Sequence, residues 1–250
     1  MADARGPATP PAIVWRTATV AATRAENDHA RTLELDVPGW PGHRAGQYLD
    51  VRLTAEDGYQ AQRSFSLASA PESGRVEITV ERIDDGEVSP YLVDELRVGD
   101  QFELRGPIGG PFTWSVADGG PLLLIAGGSG LVPLMAMLRH RAARGSTIDA
   151  RALVSVRGPG DLLYRDELTA LASDDRLDLR PTYTRLPPPG WSGFAGRIDA
   201  AMVAAIGPPP QERPLVFVCG PTPFVEHAAD LLVDGGHDPA RIRTERFGPS

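Results

Sequence analysis

The alternation of apolar and polar positions changes rhythm once along the chain, near residues 112–120. Before that point, short apolar runs recur at the two-residue spacing of half-buried strands. They predict strands over residues 13–24, 30–37, 47–53, 63–68, 75–82 and 101–104. Pro38-Gly39, Asp57-Gly58, Glu72-Ser73-Gly74, Asp84-Asp85-Gly86 and Gly99-Asp100 separate these runs with turn chemistry. One short helix is expected over residues 89–96, with Ser89 as its N-cap and Pro90 at its first position. So many antiparallel strands in so short a stretch predict a small closed barrel. After Gly119-Gly120 the strands, at 122–126, 150–156, 177–183, 215–219 and 242–247, alternate with helices at 132–144, 165–173, 199–206 and 222–234. Alternation of that kind builds a doubly wound parallel sheet. The expected organisation is a flexible tail over 1–12, a barrel over 13–116 and an α/β domain over 117–250.

The stretch from Pro121 to Leu138 organises the second half. An unbroken apolar run, as in a strand buried on both faces, stops at Gly127, Gly128 and Gly130, and Pro133 follows near the start of an apolar helix. Strand, glycine turn and helix together make a phosphate cradle, because bare backbone N–H groups and the helix dipole both favour an anion there. Taken alone, the stretch is equally a plain tight turn.

Composition narrows the classes. A hydrophobic content of 42% supports real cores, and a net charge of -8 with pI near 5.2 argues against binding nucleic acid or an acidic membrane. One cysteine, Cys219, excludes an internal disulfide and a four-cysteine iron–sulfur site within this chain. His29, His43, His140, His227 and His237 show no ligand spacing, so no metal is expected. Residues 1–12 lack the apolar core of a signal peptide, and no run of apolar residues is long enough to span a bilayer. A cytoplasmic, monomeric protein is the expectation.

Two barrel segments carry candidate chemistry. In Arg63-Ser64-Phe65-Ser66, a guanidinium that can grip a diphosphate stands two residues from an aromatic that can stack on a flat ring, with hydroxyls beside them. In Gly86-Glu87-Val88-Ser89, a turn leads into the expected helix, where N–H groups and a hydroxyl can meet an anion.

These segments, with three others in the same order, resemble the ferredoxin–NADP⁺ reductase superfamily over nearly all of residues 13–250. Arg63-Ser64-Phe65-Ser66 is similar to its flavin motif, and Gly86-Glu87-Val88-Ser89 to its flavin-phosphate motif. The segment from Gly106 to Phe112 resembles its Gly-Pro-x-Gly-x-Phe segment with one extra residue. Gly127-Gly128-Ser129-Gly130-Leu131-Val132-Pro133 and Cys219-Gly220-Pro221 are similar to its two nicotinamide-nucleotide motifs. The resemblance implies a six-stranded antiparallel β-barrel that binds FAD, followed by a Rossmann-like parallel-sheet domain that binds NADP(H) or NAD(H). It places Arg63 on the FAD diphosphate, Phe65 on the isoalloxazine and Ser66 by the flavin N5, with Ser64, Thr79, Val80, Arg82, Gly86, Glu87, Val88 and Ser89 along the rest of the cofactor. Gly128, Ser129, Gly130, Pro133, Gly220 and Pro221 would cradle the nucleotide. Ser66, Cys219, Glu245 and Phe247 would surround the reacting atoms. Phe65 and Phe247 stand where many relatives have tyrosine, and Gly248-Pro249-Ser250 runs past the point where plant-type members end.

Charge bears on which nucleotide is used. A carboxylate at the strand ends would hold an NAD ribose diol and repel a 2′-phosphate, whereas arginine attracts it. The second and third strands of the α/β domain lead into Arg157 and into Thr184-Arg185, and Arg197 follows in Phe194-Ala195-Gly196-Arg197. By resemblance these positions favour NADPH. The function implied is hydride transfer from NADPH to FAD and then release of single electrons to a separate ferredoxin, flavodoxin or other redox protein. An NADH-dependent reductase component of an oxygenase or other multicomponent redox system is the first alternative. A non-catalytic flavin- or nucleotide-binding subunit is the second.

Overall fold

The computed structural model describes residues 13–173 and 177–248. The expected tail over 1–12 and the terminal Pro249-Ser250 lie outside the described residues. The first six strands are β1 (Trp15–Asn27), β2 (Ala30–Asp36), β3 (Tyr48–Thr54), β4 (Gln60–Ser66), β5 (Val76–Glu81) and β6 (Gln101–Ile108). They pair in the order β4-β3-β6-β1-β2-β5, every neighbour antiparallel. A bridge between Leu67 and Ile78 joins the two end strands and closes the expected barrel. Leu33, Leu49, Val51, Ile78, Val80 and Leu104 fill it, all fully buried.

Two barrel elements differ from the sequence pattern. Strand β4 starts three residues early, because Gln60, Ala61 and Gln62 extend the ladder against β3 although none is a strong strand former. The helix expected over 89–96 is a single π-helical turn, Tyr91–Glu95. Ser89 does not cap it: its hydroxyl accepts the Ile83 N–H at 3.0 Å and ties the preceding loop shut.

The second sheet comprises β7 (Leu122–Gly127), β8 (Ala150–Val156), β9 (Leu177–Tyr183), a two-residue β10 (Phe194–Ala195), β11 (Leu215–Pro221) and β12 (Ile242–Phe247). Their order is β10-β9-β8-β7-β11-β12, all parallel. Helices α1 (Leu131–Ala143), α2 (Arg165–Ser173), α3 (Ala200–Ile206) and α4 (Thr222–Asp234) connect them. The apolar run of β7 is explained by its position: Leu122, Leu124 and Ala126 pack with α1, while Leu123 and Ile125 pack with α3 and α4. Helix α1 is buried almost all round, since Ala30, Ala45, Ala68, Phe112 and Trp114 join its cluster from the barrel side. The two sheets therefore share one core across α1. The strand order reverses beside β7, which puts the open crevice of the sheet at the carboxyl ends of β7 and β11.

Candidate functional site

At that crevice, Gly128–Gly130 make one 3-10 turn between β7 and α1. Gly128 has φ +56, in the region most side chains avoid. Gly130 meets a different constraint, because a Cβ there would lie 2.1 Å from the Cys219 carbonyl oxygen. The turn is thus pressed onto β11. A cleft of about 280 Å³ opens over it, lined by Gly128, Ser129, Arg157, Thr184, Pro221 and Phe247 of the expected residues. Gly130 and Pro133 are buried and do not line it, and Gly220 packs against Phe224. Arg185 and Arg197 are exposed and do not line the cleft, although the Arg185 N–H donates to the Arg157 carbonyl at 3.0 Å and joins the two loops.

Cys219, Glu245 and Phe247 come together by strand register. Cys219 pairs with Ala126 on one side and Glu245 on the other, and Pro221 pairs with Phe247. Cys219 is buried, and burial with the nearby Glu245 pushes its thiol well up. Burial raises the Glu245 carboxyl to about 7, and its buried Oε2 has no hydrogen-bond partner. The barrel reaches this cluster through Tyr48, which pairs with Ser66 across β3 and β4. Burial raises the Tyr48 phenol, and the charges of Asp50 and Glu245 add to the effect. Glu245 thus lies within electrostatic reach of Tyr48, the residue that pairs with Ser66.

The expected flavin residues fall into two groups. Arg63 is exposed and pairs with Glu87 at 3.3 Å, while Glu87 accepts the Tyr59 hydroxyl at 2.6 Å. Phe65 is half-buried against the barrel core, and the Ser64 hydroxyl donates to Asp50 at 2.6 Å. Arg82 pairs with Asp84 and Asp94 at the surface. Thr79, Val80 and Val88, by contrast, carry side chains that are buried. Val80 and Val88 belong to the barrel core, and the Thr79 hydroxyl is engaged by Thr32 and Tyr164. The strand pattern of β5 marks only one face as inward, and the second face is covered by the other domain.

Sequence reasoning passed over Tyr48 as a site residue, and over Glu81, Asp161 and Phe224, which also line the cleft. Asp161 had a local signal: it follows Gly158-Pro159-Gly160 and its carboxylate accepts the Gly158 N–H at 2.9 Å. Glu81 and Tyr48 had none, because their roles depend on the docking of the two sheets. The residues present fit a flavin and a nicotinamide nucleotide. Gly128 and Ser129 present bare turn backbone to the cleft, and the buried Glu245 Oε2 on the neighbouring strand is left without a partner, as a site for phosphates and a ring edge requires.

Comparison with known proteins agrees. The family described as Oxidoreductase FAD-binding domain matches residues 18–113, and the Oxidoreductase NAD-binding domain matches residues 124–230. Ferredoxin–NADP reductase B of Sorangium cellulosum is 36% identical over 185 residues, covering 70% of this chain and 73% of that protein. The glycine betaine monooxygenase reductase subunit of Pseudomonas aeruginosa is 32% identical over 212 residues, covering 83% of this chain. This chain spans only 57% of that relative's length. Among solved structures, an Amycolatopsis cytochrome P450 reductase superposes with a TM-score of 0.83 at 28% identity, covering 99% of this chain and 74% of the other. No helix among the described residues is long and apolar enough to cross a membrane.

Proposed function

Because the chain belongs to the ferredoxin–NADP⁺ reductase superfamily of flavin oxidoreductases, we propose that it takes hydride from NADPH and passes single electrons to a separate redox protein. What supports this reading most is the glycine-turn cleft, where Glu81 of the barrel meets Gly128, Ser129, Arg157 and Phe247 of the α/β domain, with Cys219 and Glu245 paired on the strands beneath Pro221 and Phe247. Bound FAD supplies the chemistry, accepting two electrons together and releasing them one at a time. The protein's part is placement and electrostatics. Arg63, now paired with Glu87, would hold the FAD diphosphate, Phe65 would stack on the isoalloxazine, and Ser66 would offer its hydroxyl at the reacting edge. On the other side, Gly128 and Ser129 hold the nucleotide diphosphate, and Phe247, 37% exposed, moves aside to admit the ring. Cys219 stays a neutral thiol, and Glu245 holds or yields a proton near neutral pH.

The redox partner is a ferredoxin, a flavodoxin or an oxygenase-type protein, the last suggested by relatives named as monooxygenase reductase components. Arg157, in the cleft beside Thr184, is the leading contact for a 2′-phosphate, with Arg185 and Arg197 behind it. A second reading, NADH use, draws support from Asp161 and Glu81, whose carboxylates line the same cleft. Anaerobic stopped-flow bleaching of the FAD-loaded protein, with NADPH and NADH titrated side by side, separates the two. The expected result is tighter reduction by NADPH, and a rise of about tenfold in half-saturating NADPH for Arg157→Ala with little change for NADH. Equal weakening with both nucleotides would remove the 2′-phosphate role from Arg157, and tighter reduction of the wild type by NADH would favour the second reading.

A further inference from the structure

Tyr164 lies on the loop that leaves the nucleotide cleft and enters α2. It has φ +55, a left-handed conformation that strains a bulky side chain. Yet this loop residue is only 4% exposed. Its hydroxyl reaches Thr79 of the barrel strand β5 at 2.5 Å, Thr79 reaches Thr32 of β2 at 2.7 Å, and Thr32 donates to Glu26 at 2.6 Å. One hydroxyl proton each fixes the direction of the chain. Thr32 gives its proton to the carboxylate, so Thr79 must give its own to Thr32, and Tyr164 must give its own to Thr79. Glu26 then closes the ring by accepting the Tyr164 N–H at 3.3 Å. Burial pushes the Tyr164 phenol up, so it remains a donor throughout the neutral range. From α1, Arg139 lies 4.9 Å over the Tyr164 ring and grips Glu167 of α2 with two bonds, of 2.8 and 2.6 Å. It also holds the barrel, at Glu77 and the Ala68 carbonyl, at 3.2 and 2.8 Å.

Strand β5, which receives this peg, ends at Glu81 on the nucleotide cleft, where Glu81 Oε2 would lie 3.9 Å from a Cβ placed on Gly128. We propose that Tyr164 and Arg139 are positioning residues that fix the flavin-bearing barrel wall against the nucleotide turn and so set the hydride-transfer distance. The proposal rests on the reductase reading above. Reacting atoms must approach to roughly 3–3.5 Å, and an error of about 1 Å can slow the step on the order of a hundredfold. That sensitivity gives a reason for strain to be retained in a residue that touches neither ligand.

The test uses Tyr164→Phe, which keeps the ring and removes only the hydroxyl, and Arg139→Lys, which keeps the charge but not the forked grip. Two readouts are taken: the limiting rate of flavin bleaching by NADPH and by NADH in the FAD-loaded protein, and amide hydrogen exchange over residues 79–81 and 128–130 in the FAD-free protein. Tyr164→Phe is expected to slow the limiting rate about tenfold with half-saturating nucleotide and FAD content unchanged, and to speed exchange at 79–81. Arg139→Lys should act in the same direction. Wild-type rates and exchange in both variants would overturn the proposal, and so would a slower rate that merely tracks lost FAD. A wild-type flavin bleached by neither nucleotide would instead sink the reductase reading, and the exchange readout alone would then decide the joint.

Discussion

A carboxyl group buried with one oxygen unpaired, as in Glu245, holds its proton more tightly in the folded chain than in the unfolded one. Its folded value of about 7 lies above the ordinary 4.5, so between those limits the native state carries a proton that the unfolded state has lost. Stability therefore falls as pH rises through that window, by up to roughly 3 kcal/mol, and is level above it. Glu245→Gln in the FAD-free protein should flatten this slope and raise the melting temperature at pH 8 but not at pH 4.5. Thermal melts across pH 4.5–8 check it, and an unchanged slope would mean the charge is already compensated. Cys219 could be singled out from its Cys-Gly-Pro motif, and Glu245 and Phe247 only by resemblance; the strand register sets Glu245 beside Cys219 and Phe247 beside Pro221. The unpaired oxygen and the facing Tyr48 were not legible, because both arise from a contact between residues far apart in the chain.

The elements themselves were written plainly. The unbroken apolar run of β7, the glycine turn and the apolar α1 predict what forms, because a strand between two helical layers has no polar face to show. The pattern failed at the π turn Tyr91–Glu95 and at the start of β4, where pairing partners and loop closure decide the outcome rather than propensity. Within the glycine turn, two glycines have separate reasons. Ala at Gly128 meets only the Glu81 carboxylate, at an ordinary contact distance of 3.9 Å, and its cost is that of its left-handed backbone, about 1 kcal/mol. Ala at Gly130 drives a methyl into the Cys219 carbonyl, and the turn must lift off β11 at about 3 kcal/mol or more. Urea denaturation should rank Gly130→Ala well below Gly128→Ala, with weaker nucleotide binding in the former; equal losses would show that the turn is not pressed onto β11.

At the scale of the whole molecule, the change of rhythm near residues 112–120 marks where one sheet gives way to the other, but not how they are joined. Phe112 and Trp114, placed by the sequence at the end of the barrel domain, are buried in one apolar cluster with α1. Beside them, His140 of α1 completes a clasp with the barrel. Its Nε2 accepts the Val116 N–H at 3.2 Å, so Nδ1 carries the proton and donates to Glu72 at 2.8 Å. The ring is 7% exposed and lies edge-on to Trp114 at 5.5 Å. Glu72→Ala leaves that Nδ1–H buried without its acceptor, a loss of about 2 kcal/mol, which for a chain of this size lowers the melting temperature by roughly 4–8 °C. Adding His140→Phe, which removes the stranded donor while keeping a ring against Trp114, should recover part of the loss. FAD content should stay at the wild-type level, because neither residue lies among those assigned to the cofactor. Additive losses in the double variant would mean that the His140–Glu72 pair does not act as a clasp between the barrel and the α/β domain.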